Sequence, residues 1–396
     1  QMTAFLAAGL TLNETAEALG LALADHEADM DLVAVRLPRF QFERFKGVQD
    51  RLSTRMQSTG EALGVGGSFK EALQKAVRAL DGKRTALSGA PGGASGTAEE
   101  SLEDICEPSS MRLFRLYAAL ARGADADELA SLSGIKPWFI RELGELARLE
   151  QGIRACNGRE ISAELMAKAK RDGFADAEIA SLLGVGGDAV RRQHEALGIK
   201  KSFRRLGHAQ WYYATFHGPV QALPWPPPTP PGVLILGGGP GRIGQGQEVD
   251  YACTHAAKAL EKMGQTPVVV DCNPAAVVGM DRTSRVYLEP LTAEDILDIY
   301  QREEPLGMIC QFGGHAAAEA ARVLAPSGVR VLGTPVDALA EAADRARLRR
   351  RITALSIPMP SSGVAHSSAA LRILAEEIGF PVVIRPLGSV DGLGME

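Results

Sequence analysis

Apolar positions along the chain fall into three regimes. Up to about residue 207 they recur mostly at helical spacing, around one strand-like run, LVAVRLPRF, from Leu32 to Phe40. In TLNETAEALGLAL, Leu12, Ala16, Leu19 and Leu23 share one helix face, with Thr11 set to cap and Glu14 three residues on. The stretch ERFKGVQDRLSTRMQSTGEALGVGGSFKEALQKAVRAL reads as loop, strand fragment and helix, and KRTALSGAPGGASGTAEE as a flexible linker. From Ser101 to about Gly207 the pattern is wholly helical and contains a repeat. ELASLSGI, at Glu128 to Ile135, returns as EIASLLGV at Glu178 to Val185. Asp125 and Asp176 are placed to cap these helices, and Gly134 and Gly184 fall at the turns that follow. The prolines of GPVQALPWPPPTPPG (218–232) make a semi-rigid spacer. Beyond them, apolar runs alternate with helical segments. VLIL, a helix over 249–262, PVVVD, a helix over 293–303, GMICQF, a helix over 315–325 and VRVLG predict a parallel sheet with right-handed crossovers. ALAEAADRARLRRRITAL predicts one strongly basic helix, and FPVVIRP a further strand.

The chain is organised around VLILGGGPGRIGQGQEVD, Val233 to Asp250. Gly237, Gly238 and Gly239 admit positive φ and close backbone approach. A helix follows, and free N–H groups at its start favour negative charge. Gly239, Gly241 and Gly244 spell G-x-G-x-x-G, and Asp271 ends the next strand as a ribose-binding acid would. A Rossmann oxidoreductase using NAD is therefore one candidate. Pro240 inside the turn, the charged Arg242 and the late acid fit that pattern poorly.

Composition narrows the classes. With 45% hydrophobic and 23% charged residues the chain is ordinary for a globular protein, and its 396 residues are enough for several domains. A net charge of −5 gives no basic field for nucleic acid or an anionic membrane. GFADAEIASLLGVGGDAVRRQHEALGI passes for a DNA-binding helix-turn-helix, but its reading helix offers only Arg191 and Arg192. No apolar run approaches a bilayer span. Five cysteines lie far apart without CxxC spacing, which argues for a reducing cytosol and against a zinc site.

GGGPGRIGQGQEVDY, with CNP at Cys272 to Pro274 and QFGG at Gln311 to Gly314, closely resembles the large chain of carbamoyl-phosphate synthetases. LPRFQFERFKG, RMQSTGEALGVG and SFKEALQKAVRAL resemble the tail of that family's first ATP-grasp unit. WFIRELGELARLEQ and RDGFADAEIASLLGV resemble its helical oligomerisation domain. The resemblance implies an α/β multidomain chain. The first unit's tail would span 1–95, a helical oligomerisation domain 101–207 and a proline-rich linker 208–232. A Rossmann-like, parallel-sheet pre-ATP-grasp domain would span 233–338, and the start of a second, truncated ATP-grasp domain 339–396. The chain would then be an internal fragment, catalytically inactive alone. Its parent would be a cytoplasmic, ATP-dependent ligase of arginine and pyrimidine biosynthesis. That enzyme makes carbamoyl phosphate from bicarbonate, two ATP and ammonia supplied by a glutaminase small subunit.

By the same resemblance, Glu61, Arg242, Gly246 and Glu248 stand at carbamate-tunnel positions, and Arg345, Arg385 and Gly392 at ATP-binding positions. From the residues alone, Glu61 could equally cap the helix after it. Magnesium is implied, with potassium a further candidate ion, and their ligands are expected outside this sequence. The helical domain implies self-association. The chain departs from the family's pattern in several places: Ala275 replaces a tunnel acid, His315 and Ala316 replace two hydrogen-bonding residues, Leu387 and Asp391 alter the loop after Arg385, and LGHAQWYY rebuilds the exit from the helical domain. His315 could substitute for a lost group or cap the next helix. These departures support the alternative of a diverged, non-catalytic scaffold of the same fold.

Overall fold

The computed structural model describes residues 2–19, 32–80, 86–89, 101–158, 160–206, 211–218, 227–276, 284–387 and 395. Leu23 of the expected N-terminal face lies outside them. Helices α1 (Met2–Ala7) and α2 (Leu12–Leu19) come first. The Thr11 amide donates to Glu14 Oε2 at 2.8 Å and the Glu14 amide to Thr11 Oγ1 at 3.3 Å, the reciprocal capping arrangement expected from the sequence. Strands β1 (Val33–Arg39) and β2 (Gly60–Gly66) form an antiparallel hairpin, followed by α3 (Phe69–Ala79), which Ser68 caps.

Seven helices follow: α4 (Leu102–Cys106), α5 (Arg112–Ala121), α6 (Ala126–Ser133), α7 (Pro137–Ala155), α8 (Ala163–Arg171), α9 (Asp176–Leu183) and α10 (Gly187–Ala196). The repeat lies on α6 and α9, and each ends on a left-handed glycine, Gly134 and Gly184. The two starts differ. Asp125 caps α6, whereas Ala175 occupies the cap position of α9 and Asp176 is its first helical residue. The Asp176 carboxylate instead takes Lys170 at 2.7 Å and His194 at 3.2 Å. On α10, Arg191 is bound to Asp298 at 2.6 Å and to Glu195, so the would-be DNA-reading helix is turned into a packing surface.

Strands β3 (Ser202–Arg205), β4 (Trp211–Thr215), β5 (Val233–Leu236), β6 (Pro267–Val270), β7 (Arg285–Tyr287), β8 (Met308–Ile309) and β9 (Val331–Leu332) form one sheet in the order β3-β4-β7-β6-β5-β8-β9. The pairs are parallel except β3–β4. This corrects the expected wholly helical span to 207 and the linker over 208–232. Residues 202–205 and 211–215 are sheet strands, held because Tyr212, Tyr213 and Ala214 are buried against the strands beside them. Helices α11 (Gln247–Lys262), α12 (Ala293–Glu303) and α13 (Gly314–Leu324) cover the sheet. Alternation decides the faces: Leu234, Leu236, Val268 and Val270 pack on α12 and α13, while Ile235 and Val269 pack on α11.

Past the sheet, the single basic helix expected is two, α14 (Val336–Ala343) and α15 (Arg345–Ala354). Asp344 breaks it by accepting the amides of Ala346 and Arg347 at 3.0 Å, capping the second. Helix α16 (Ser368–Ile378) follows, and FPVVIRP is not a strand. With no strand to pair with among the described residues, Phe380 and Val383 stay 77% and 73% exposed. From Arg330 onward no described residue is buried.

The hairpin and α3 join the two larger bodies. Leu73 and Val77 of α3 enter the helical core with Leu143, Leu146 and Phe174, so α3 packs with the helices despite lying before the expected boundary at 101. Val65 of β2 enters the sheet core instead. Between them lies a buried ionic layer centred on the first turns of α12. Lys201 reaches Asp295 and Asp298, both at 2.7 Å, Lys170 reaches Glu294 at 2.8 Å, and Arg78 lies 3.8 Å from Asp295. Lys75 reaches Glu289 at 2.7 Å and also donates to the carbonyls of Val65 and Ala214. Charges this deeply desolvated are tolerated only when paired and hydrogen-bonded. Among the described residues no helix is long and apolar enough to cross a membrane.

Candidate functional site

The loop after β5, residues 237–246, is wrapped by the β1–β2 hairpin. Gln41 Oε1 accepts the Ile243 amide at 2.8 Å, Arg39 donates to the Pro240 carbonyl at 3.5 Å, and Thr59 donates to the Gly241 carbonyl at 3.5 Å. Across the same hairpin the Leu63 amide donates to the Cys272 carbonyl at 2.8 Å, which fixes the loop after β6. At Gly60 the approach is backbone against backbone, and a Cβ there would overlap the Gly241 peptide. Gly60→Ala is therefore expected to lever the hairpin off the loop, at a cost of about 1–3 kcal/mol. Calorimetric unfolding would read this as a lower transition temperature; an unchanged transition would mean that the two segments part freely.

Gly238 is held from both sides. Its N–H donates to Asp271 Oδ2 at 3.2 Å, and its carbonyl accepts from Gln245 Nε2 at 3.2 Å. Asp271 Oδ1 also accepts the Asn273 amide at 2.8 Å. Burial pushes the Asp271 carboxyl up to about 6, with the Asn273 amide pulling it down and Asp250 adding to the rise. Gln245 Oε1 in turn accepts from Arg242 at 2.8 Å and, more loosely, from the His315 amide at 3.4 Å. His315 thus sits in the first turn of α13 without capping it, and its own amide is held by Gln245. Glu248 accepts the Gly246 amide at 2.9 Å, and that bond holds its carboxyl below the ordinary range.

These bonds overturn the dinucleotide reading. The start of α11 carries its own acid, and Asp271 is turned inward onto loop amides rather than outward toward a ribose. What the loop borders instead is a cleft of about 320 Å³ between the hairpin, the glycine loop and the loop after β6. Glu61, Gly246, Asp250, Asp271, Asn273 and Ala275 line it. Of the four expected tunnel residues, Glu61 and Gly246 form its wall. Glu248 is bonded to Gly246, and Arg242, 8% exposed, stands behind the wall on Gln245. Glu61 pairs with Arg36 across the hairpin, so it does not cap α3; Ser68 does. A second cavity of about 270 Å³ lies across Gly239 and Pro240, lined by Cys272, Leu291, His315 and Ala316 among others.

The expected ATP residues are not brought together. Arg345 opens α15 at the surface, whereas Arg385 lies in a groove of about 660 Å³ between 360 and 387, with Ser361, His366 and Leu387. Gly392 and Asp391 fall outside the described residues. Among the described residues no group of three or more His, Cys, Asp or Glu side chains could hold a metal. Sequence reasoning missed Gln41 and Thr59 as residues that shape the glycine loop, and it gave Asp271 a task only in the dinucleotide reading. A glutamine or threonine at a strand end carries no periodic signal. Only the spacing of Gln245 inside IGQG hinted at a role.

Two family profiles match the chain. "Carbamoyl-phosphate synthetase large chain, oligomerisation domain" covers residues 61–198, and "Carbamoyl phosphate synthase preATP-grasp domain" covers 229–341. The first begins in β2, in keeping with the helical core that α3 enters. Among curated relatives, the carbamoyl phosphate synthase large chains of Archaeoglobus fulgidus and Xanthomonas campestris are each 36% identical over the whole of this chain and 38% of theirs. That of Mycobacterium tuberculosis is 38% identical, over the whole of this chain and 37% of its own length. The chain thus spans well under half the length of the relatives it matches. Among solved structures, N5-carboxyaminoimidazole ribonucleotide synthetase from Thermus thermophilus aligns with 41% of this chain and 39% of its own. The TM-score is 0.32 at 21% identity. Two profiles of one family and relatives matching from end to end agree: this chain belongs to the carbamoyl-phosphate synthetase large-chain family.

Proposed function

We propose that the chain serves the ATP-dependent synthesis of carbamoyl phosphate, from bicarbonate, two ATP and ammonia released by a glutaminase small subunit, in the cytoplasm. Its part is to supply interdomain architecture, a stretch of wall along which carbamate travels, and a portion of the second ATP site. The observation that carries this reading is the cleft, because residues from two segments far apart in sequence, Glu61 and Gly246, meet in one wall. Carbamate is a small anion. Backbone amides of a glycine loop and a guanidinium close behind it can hold such an anion by hydrogen bonds. The carboxylates opposite keep it from binding tightly enough to stall. Arg242 has the role of charge balance, and Gln245 orients it.

Arg385 and Arg345 are the side chains assigned to ATP, since a planar guanidinium binds phosphate oxygens in pairs and keeps its charge. Gly392 would let the backbone approach the phosphates. Magnesium, and potassium if used, would neutralise the transferring phosphoryl group when bound; among the described residues no three or more His, Cys, Asp or Glu side chains gather to hold a metal. Self-association runs through the helices α4–α10. A second reading, a non-catalytic scaffold of the same fold, draws on Ala275, which lines the cleft without an acid.

The test is carbamoyl phosphate formation from bicarbonate, glutamine and ATP by the protein purified from its source with its glutaminase partner. Arg242→Ala is expected to lower that rate by about 100-fold, the scale of losing one preorganised charged donor. Undiminished synthesis by the variant would remove Arg242 from the passage, and a folded wild type making none would favour the scaffold.

A further inference from the structure

We propose that the second cavity, across Gly239 and Pro240 from the cleft, is a binding site for a small branched monocarboxylate, and that the bound molecule braces the glycine loop from behind. The walls set the ligand's body. Ala79, Pro240, Cys272, Leu291, Ala320 and Val323 give the cavity an apolar lining. Cys272 Sγ reaches the Ala79 carbonyl at 3.8 Å, which closes the side between α3 and the loop after β6. At about 270 Å³ the space falls below the roughly 300 Å³ at which drug-sized pockets begin, so it takes a body of a few carbons. Gly239 lines both this cavity and the cleft. A Cβ there would stand 3.5 Å from Leu291 and 3.7 Å from Cys272, so a molecule against these two residues touches the back of the backbone whose front borders the cleft.

The ligand's charge is set by the polar groups. Arg78 lines the cavity with a side chain only 7% exposed. Its Nη1 donates to the Gly173 carbonyl at 2.6 Å and Asp295 stands 3.8 Å from Nε, but Nε donates to no acceptor among the described residues. A guanidinium carries five N–H donors, and leaving buried donors unpaired is costly, so an acceptor placed in the cavity is favoured. Helix α13 opens onto the same space at Ala316, and its first turn has neither a capping side chain nor an acid. A helix start left open in this way favours negative charge. Helix α12, by contrast, is already capped by Thr292. The acid in the lining, Glu319, is occupied, since it accepts from Arg322 at 2.9 Å. A planar carboxylate matches the guanidinium fork, and a branched tail matches the apolar walls.

Titration of the 396-residue chain with isovalerate, followed by ligand-observed NMR, tests the site without any turnover. Saturable binding is expected near about 1 mM, the scale for so few non-hydrogen atoms. Isoamyl alcohol keeps the tail without the charge and acetate the charge without the tail, so each should bind at least about tenfold more weakly. Ala316→Phe, which fills the cavity from the half-buried first turn of α13, should abolish binding while circular dichroism stays unchanged. Arg78→Lys keeps the charge but loses the fork, and should weaken binding about tenfold. At saturation, hydrogen exchange of the peptide carrying Gly239 should slow about tenfold with β5 unaltered. No saturation by isovalerate, equal binding of the alcohol, or undiminished binding to folded Ala316→Phe would overturn the site. Binding without slower exchange at Gly239 would overturn the brace. The alcohol comparison needs no variant, so the charge requirement is tested whether or not the substituted chains fold. Neither readout involves carbamoyl phosphate, so that reading could fail while this site survives, and the reverse.

Discussion

Replacing Asp295 with alanine is expected to destabilise the protein by about 3–5 kcal/mol, the scale of stripping one partner from a buried ion pair. The change leaves Lys201 and Arg78 buried beside an empty position, and it also removes the acceptor of the Thr292 hydroxyl at 2.7 Å. Burial alone would raise the Asp295 carboxyl, but Lys201, Arg78 and Lys75 outweigh it and hold it below its ordinary value. A depressed acid contributes stability that is present above its unfolded value of 3.8 and is lost as pH falls through the folded one. The deficit of Asp295→Ala relative to the wild type should therefore shrink toward strongly acidic pH. Calorimetry across pH gives both numbers, and a loss under about 1 kcal/mol at neutral pH would mean that water reaches the layer.

Glu178→Gln is expected to do the opposite, stabilising the protein in alkali. Glu178 is buried on α9, and its Oε2 has no hydrogen-bond partner among the described residues. Burial pushes the carboxyl up to about 8; Arg78 pulls it down and Glu150 adds to the rise. Between the ordinary value of 4.5 and about 8, the folded chain keeps this proton while the unfolded chain has released it. Stability therefore falls as pH rises through that window, at up to about 1.4 kcal/mol per pH unit. Glutamine cannot titrate. The variant should match the wild type near about pH 4.5 and exceed it by roughly 4 kcal/mol near about pH 9. Parallel denaturation curves for the two proteins over that range would refute the assignment.

The buried charges did not look unusual in the sequence. Glu178 and Lys75 sit in EIASLLGV and SFKEALQKAVRAL, where polar residues at helical spacing read as a solvated face. They are buried because elements distant in sequence cover that face, the sheet over Lys75 and α3 beside Glu178, and periodicity within one helix cannot report a partner far along the chain. Strands β5 and β6 were legible, since their continuous apolar runs end at glycine or acid. Strand β7 has only three residues, too few for a period to be seen, and the aromatic run of β4 was masked by the prolines after it. The break between α14 and α15 was readable in principle, because an aspartate before a run of arginines is a cap signal. The site divides the same way. Gly246 and Glu61 were reached through the family resemblance that their motifs carry, but the Arg36 partner that takes Glu61 away from capping is set by strand pairing alone.

The meeting of Gly60 with Gly241 has a chemical corollary. There the cleft is bounded by peptide groups instead of side chains. Peptide groups bind no proton across the physiological range and present the same donors and acceptors whatever residue is encoded nearby. On the proposed passage, a cargo at this point would meet a surface whose polarity is constant, and its response to acidity would be left to the few side chains that flank it.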